Sequence, residues 1–222
     1  MTAEADYHPG FAVHLAIDCG VSRHVGAVFF QVREVARDPW SGAGRTGLHL
    51  PLATCHLPLM RVTVFGDYHG EGLYSEASAR AIRAKAEELP CRGRLDTVRL
   101  DPASSARTGV GPAAYGEFER VFGSRVLSRW PVHRVSDGLD QLEVMLDRGG
   151  LLIHPRCLAL KSALQNYCRK RTGGGEWLDE PADPQHPHED LIDALRGGVR
   201  DRFPEGRIEQ PQLRTVHAGG LC

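Results

Sequence analysis

Four aspartates define the chemistry open to this chain. Asp190 and Asp193 lie three residues apart in the segment HEDLIDALR at 188–196. On a helix, that spacing places both carboxylates on neighbouring turns of one face, with Ile192, Leu195 and Val199 as an apolar stripe beside them. Two such acids also serve as a solvated face, favoured by the positive end of the helix dipole. Asp18 and Asp101 differ, because each ends an apolar run (HLAID and VRLD) where a lone carboxylate is costly to desolvate. A strand-tip aspartate is equally a common turn residue that accepts from nearby amides. Two strand tips and a helix could gather these acids into an oxygen-rich cluster, the donor set that selects Mg²⁺ or Mn²⁺.

The elements that must position these acids follow from periodicity. Residues 14–18 read as a buried strand that Gly20 ends, and residues 24–35 (HVGAVFFQVREV) and 61–68 (RVTVFGDY) as two more. No helix fits between them, so the spacing predicts an antiparallel meander. The stretch 36–60, rich in Gly and Pro, reads as a long loop. Ser75 then caps a helix with Ile82, Ala86 and Leu89 on one face, stopped by Pro90. Residues 95–100 form a strand ending on Asp101-Pro102, which repeats the Asp18 arrangement.

Pro112 opens a helix carrying Tyr115, Phe118 and Phe122, and 125–130 is a strand. Ser136 caps a helix whose Leu139, Leu142 and Leu146 face inward, followed by the short apolar run 151–154. Leu160, Leu164 and Tyr167 mark a helix running into Arg169-Lys170-Arg171 and the glycines 173–175. The last helix spans residues 188 to about 200. Three strands followed by alternating helices and strands predict an α/β fold: a mixed sheet, three antiparallel strands then parallel ones, with helices on its faces. The expected division is an N-terminal extension at 1–10, one domain at 11–203, and a flexible tail at 204–222.

The whole chain narrows the function classes. Its 222 residues, 41% hydrophobic and 25% charged, suit one folded domain rather than a disordered or fibrous chain. No apolar run approaches the roughly 20 residues needed to cross a bilayer, and the first residues lack signal-peptide character, so a cytoplasmic setting is expected. A net charge of −1 argues against coating nucleic acid by bulk charge, though not against a local patch. The six cysteines form no CxxC pair. Neither Cys55-His56 with Cys91 nor His186 with His188 has the paired spacing of a zinc site.

Three motifs in order, LAIDCG at 15–20, VRLDPAS at 98–104 and HEDLIDALRGG at 188–198, resemble the nuclease domain of the large terminase subunit of tailed viruses. That family belongs to the ribonuclease H and integrase-like nucleases. The intervening VTVFGDYHGEG resembles its third strand and following turn. The resemblance covers residue 13 to about 202 and implies a ribonuclease H-like sheet with helices on both faces. It implies that Asp18, Asp101 and Asp193 are catalytic metal ligands, with Asp190 one turn earlier as a further ligand. Asp67 would be an auxiliary acid, or equally a turn residue before Gly70. His188, adjacent to the acids, reads either as a solvated histidine at the helix start or as a group that contacts a phosphate or orients a ligand. One departure stands out: relatives follow the aspartate motif with a tyrosine and a small residue, whereas this chain has Gly197-Gly198.

The activity so implied is endonucleolytic hydrolysis of double-stranded DNA with two metal ions about 4 Å apart. Lys161, Arg169, Lys170 and Arg171 would contact DNA phosphates, or form a charged helix end with no ligand. The family's other half is a packaging ATPase. No GxxxxGK[ST] phosphate loop occurs here, so an isolated nuclease half or an independent relative that does not hydrolyse ATP is expected. The resemblance implies that ATPase domain, the small terminase subunit and the portal as partners. Two alternatives remain: another nuclease of the same fold, such as a junction resolvase or exonuclease, and a non-catalytic module that binds nucleic acid or protein. The second would need no clustered acids.

Overall fold

The apolar runs assemble into a six-stranded sheet in a computed structural model that describes residues 6–19, 24–35, 59–73, 75–105, 114–175, 177–181 and 188–203. β1 (His14–Cys19), β2 (His24–Val35) and β3 (Leu59–Glu71) form the antiparallel meander. α1 (Ser75–Glu88) crosses to β4 (Thr97–Leu100), which pairs parallel with β1. A 3-10 turn (Pro102–Ser105) and α2 (Ala114–Phe122) lead to β5 (Leu127–Arg129), parallel to β4. α3 (Val135–Asp147) then crosses to β6 (Leu151–Ile153), parallel to β3 at the far edge. α4 (Leu158–Asn166), the β7–β8 hairpin (Arg169–Arg171 and Trp177–Pro181) and α5 (His188–Arg202) complete the chain.

Strand alternation sends side chains to two separate cores. Ala16, Val28, Phe30, Val62 and Val64 pack with α3, α4 and α5 on one face. Leu15, Ile17, Ala27, Phe29, Val98 and Leu100 pack with α1 and α2 on the other. Helices therefore cover both faces, as the sequence led us to expect. β3 carries a bulge: Phe29 pairs with Gly66 but Phe30 pairs with Val64, so Phe65 is an extra residue. Phe65 drops into the core beneath α1, and the phase of the strand flips. Beyond the bulge, the odd-numbered Asp67 and His69 therefore take the α4/α5 face, which Val62 and Val64 occupy before it.

α5 lies close against the sheet because of its glycines. A Cβ at Gly197 would sit 2.4 Å from the Trp130 ring, and one at Gly198 would sit 2.6 Å from the Ala16 Cβ. The departure from the family pattern at these positions is thus a close-packing solution. Ile192, Leu195 and Val199 are buried as their spacing predicts. Glu189 and Asp190 occupy the first turn, and Arg200 and Arg202 the last, matching the helix dipole at both ends.

Several expectations are corrected. Ser136 is not the cap of α3: the helix starts at Val135, and Arg134 takes the cap position in extended backbone without a side-chain bond. Leu146 is 44% exposed, and Met145 packs inward instead, because Gly138, Gln141, Leu142 and Met145 share the 3.6-residue phase. Arg169-Lys170-Arg171 is not a helix end but the strand β7. Ser75 is the first residue of α1, and Leu59 and Met60, assigned to the long loop, belong to β3. In the expected N-terminal extension, the Tyr7 ring meets Phe65 at a tilt of 57°, and the His8 N–H donates to Gln31 Oε1 at 2.8 Å. Gly20, most of the 36–60 loop, Pro112 and the 204–222 tail lie outside the described residues.

Candidate active site

Asp18 is the last residue but one of β1, and the Asp101 N–H donates to Ile17 O at 3.0 Å just past the end of β4. The parallel pairing of Ile17 with Leu100 puts the two carboxyl-bearing strand ends side by side. The strand register adds the third element. Asp18 pairs with Gly26 across β1 and β2, and a Cβ on Gly26 would lie 2.5 Å from the backbone carbonyl of Asp190. Glycine at that place lets the first turn of α5 settle onto the sheet beside Asp18.

The electrostatics record the gathering. Burial, followed by the charges of Asp193, Asp101 and Asp190, pushes the Asp18 carboxyl well above its usual range. Asp101 is raised by burial first and by Asp193, against an opposing hydrogen bond from the Ala103 backbone. Asp190 is itself only 1% exposed. One cation tempers this concentration of charge: Arg196, 8% exposed, bonds Asp193 Oδ1 through Nε at 3.0 Å and Nη2 at 2.9 Å. Its Nη1 lies 3.1 Å from His133 Nε2. The Arg196 stem fits only because residue 138 of α3 is glycine, where a Cβ would meet Arg196 Cγ at 2.2 Å.

Asp67 is engaged elsewhere. Its Oδ2 accepts from the Leu160 N–H at 2.8 Å, satisfying an orphan donor in the first turn of α4. Burial raises its carboxyl, and that backbone bond opposes the rise. His188 begins α5 half-buried, and its Nδ1 is buried with no hydrogen-bond partner among the described residues. Lys161 is exposed on α4, Lys170 and Arg171 are exposed on β7, and Arg169 belongs to the same strand. Of the zinc sets considered, Cys55, His56 and His186 lie outside the described residues, and Cys91 is buried with its thiol donating to Ala86 O.

No family model and no curated protein matches this sequence. Solved structures do match. The phage D6E large terminase aligns at TM-score 0.58 with 13% identity, over 90% of this chain and 42% of that one. The nuclease domain of the phage SPP1 large terminase, with Mn bound, aligns at 0.53 with 12% identity, over 86% of each chain. The large terminase nuclease of the thermophilic phage G20c, with magnesium bound, aligns at 0.50 with 16% identity, over 87% of this chain and 82% of that one. This chain has the fold of the large terminase nuclease domains. The mixed ribonuclease H-like sheet read from the sequence is therefore the observed one. The chain spans about two-fifths of the D6E large terminase.

Within this terminase nuclease fold, sequence reasoning missed two groups of residues. Arg196 stands three residues after Asp193, and that helical spacing was a usable signal. His24 and His69 had none. They come from separate strands, and their rings stack at 5.8 Å. Among the described residues, the potential ligand atoms that converge within 4.8 Å of one another are those of His24, His69 and Asp190.

Proposed function

We propose that this chain is a metal-dependent endonuclease that hydrolyses phosphodiester bonds in double-stranded DNA, as the nuclease part of a viral DNA-packaging terminase. The observation that carries the proposal is that the neighbouring ends of β1 and β4, which bear Asp18 and lead into Asp101, lie side by side with the first turn of α5 settled beside Asp18, near enough for Asp193, Asp101 and Asp190 to act on Asp18 through their charges. Burial and the neighbouring acids raise the carboxyls of Asp18 and Asp101, a strain that a hard divalent cation held by these oxygens would relieve. The residues present thus fit Mg²⁺ or Mn²⁺, and the magnesium and Mn forms of the G20c and SPP1 nucleases support the same choice.

Asp18, Asp101 and Asp193 would hold the ions, with Asp190 as a further ligand. When bound, such ions lower the pKa of the attacking water and stabilise the leaving 3′ oxygen. Arg196 fixes the rotamer of Asp193, so that the helix carboxylate is positioned before a substrate arrives. Lys161, Arg169, Lys170 and Arg171 would track the DNA phosphates, a contact type that carries no sequence information. The D6E match, in which a domain like this one is part of a longer large terminase, supports a packaging ATPase domain as the partner, with the small subunit and portal beyond it. Among the described residues no helix is long and apolar enough to cross a membrane, which suits action in the host cytoplasm.

The test uses supercoiled plasmid with Mn²⁺ and the wild-type chain beside Asp18→Ala and Asp193→Ala variants. Nicking and linearisation by the wild type alone is expected. A folded wild type that leaves the plasmid intact, or variants that cut equally well, would refute the proposal. Cutting only at branched junctions or from DNA ends would transfer it to a resolvase or exonuclease.

A further inference from the structure

We propose that His24, His69 and Asp190 form a second metal site, sharing Asp190 with the carboxylate cluster, that takes a borderline transition-metal ion, with Zn²⁺ as the reference case. This assignment does not depend on DNA cutting. Two imidazoles and one carboxylate form a donor set suited to Zn²⁺, Co²⁺ or Ni²⁺, whereas Mg²⁺ prefers the all-oxygen cluster beside it.

The fold builds the site by three independent devices. The bulge at Phe65 brings His69 to the α5 face. Gly26, paired with His69 on one side and Asp18 on the other, leaves room for the first turn of α5 to bring Asp190 down onto the strands. His24 sits two residues from Gly26 on β2, hence on the same face, with its ring stacked against His69 at an interplanar angle of 22°.

The ligand atoms already lie within 4.8 Å of one another. A tetrahedral ion with bonds near 2.0 Å needs its ligands about 3.3 Å apart, a closure within reach of small side-chain rotations. Three protein ligands leave a coordination position open to water or a phosphate oxygen. Asp190 is buried and acts on Asp18 through its charge. It is therefore the carboxylate that joins the imidazole site to the all-oxygen cluster.

The experiment measures metal uptake, not cleavage. The whole chain, freed of metal, is titrated with Zn²⁺ in excess Mg²⁺ against a chromophoric chelator, and with Co²⁺ by visible absorption. Wild type should take up one tightly held equivalent, with a Co²⁺ spectrum typical of mixed nitrogen and oxygen ligands. Asp18→Asn/Asp101→Asn should retain it. His24→Ala/His69→Ala should bind at least about tenfold more weakly while keeping the wild-type circular dichroism. If that double variant does not fold, paramagnetic shifts of the histidine ring signals in Co²⁺-loaded wild type provide the same test, and they should be largest for His24 and His69. Equal Zn²⁺ affinity in wild type and the histidine variant, loss of the ion in the Asp18/Asp101 variant, or Co²⁺ shifts at other histidines would overturn the proposal. In that case the two imidazoles serve only to hold Asp190.

Discussion

Gly26→Ala tests the positioning of the active site without touching a candidate ligand. The new methyl carbon would lie 2.5 Å from the carbonyl carbon and oxygen of Asp190 and 2.7 Å from the Leu191 nitrogen. Carbon contacts relax only at about 3.5–4.0 Å, so the first turn of α5 must rise by roughly 1 Å. The obstacle is backbone, and no rotamer change relieves it. Overpacking of this kind costs about 1–3 kcal/mol, which in a chain of this size lowers the melting midpoint by about 2–12 °C. The larger effect is on rate. A displacement near 1 Å carries Asp190 and Asp193 away from Asp18, and misplacement on that scale costs on the order of 100-fold.

The assay is plasmid nicking in Mn²⁺ with a thermal melt on the same sample. Gly116→Ala in α2 is the control: its Cβ would meet nothing within 4 Å, and it removes a helix-interior glycine worth about 1 kcal/mol. It should cut normally and melt no lower than wild type. A Gly26→Ala chain that cuts at the wild-type rate with an unchanged midpoint would show that α5 is not held against the sheet as described.

Three further outcomes are expected. In chelator, Asp18→Asn should melt above wild type, since it removes a buried charge that Asp193, Asp101 and Asp190 all oppose; it should also lose cutting, and a lower midpoint in chelator contradicts the cluster. Burial, then Arg202, lowers the pKa of His14 to about 4 from an ordinary 6.5, so between those values the unfolded chain binds the extra proton and stability rises with pH. The contribution is fully present above about pH 6.5 and lost as the pH falls through about 4, up to about 3 kcal/mol by urea unfolding, and His14→Gln should flatten that slope. Asp67→Asn weakens a bond to the α4 N-terminus and should cost about 1 kcal/mol in urea unfolding with cutting retained; a large loss of rate at unchanged stability would instead make Asp67 an auxiliary acid.

The parts of the site legible in the sequence are those whose signal is local. Asp18 and Asp101 each close an apolar strand and are followed by Cys-Gly and Pro, so both strand type and strand end could be read within a few residues. The stripe Ile192, Leu195 and Val199 fixed the buried side of α5 and hence the direction of its acids. What escaped depends on distant partners. His24 and His69 meet through the pairing of Gly26 with His69, which no window on either strand contains. Arg169-Lys170-Arg171 carries the charge of a frayed helix end, yet it gains strand structure by pairing with residues 177–181. In α3, two leucines invited a seven-residue phase, whereas the packing chose Met145 over Leu146.

The extra residue in β3 makes that strand sensitive to parity. Removing Phe65 alone would restore a regular ladder, with Val64 still opposite Phe30 and Gly66 opposite Phe29, so Asp67 and His69 would keep their present face. Removing two residues there would exchange the two faces for everything after them. Asp67 and His69 would then turn beneath α1, into the apolar core where Ile82 and Leu89 lie, while Tyr68 would be thrust toward α4 and α5. The bulge thus absorbs the loss of one residue and no more. A two-codon deletion there would disconnect the α4 cap and the histidine pair together, although neither lies at the site of the change.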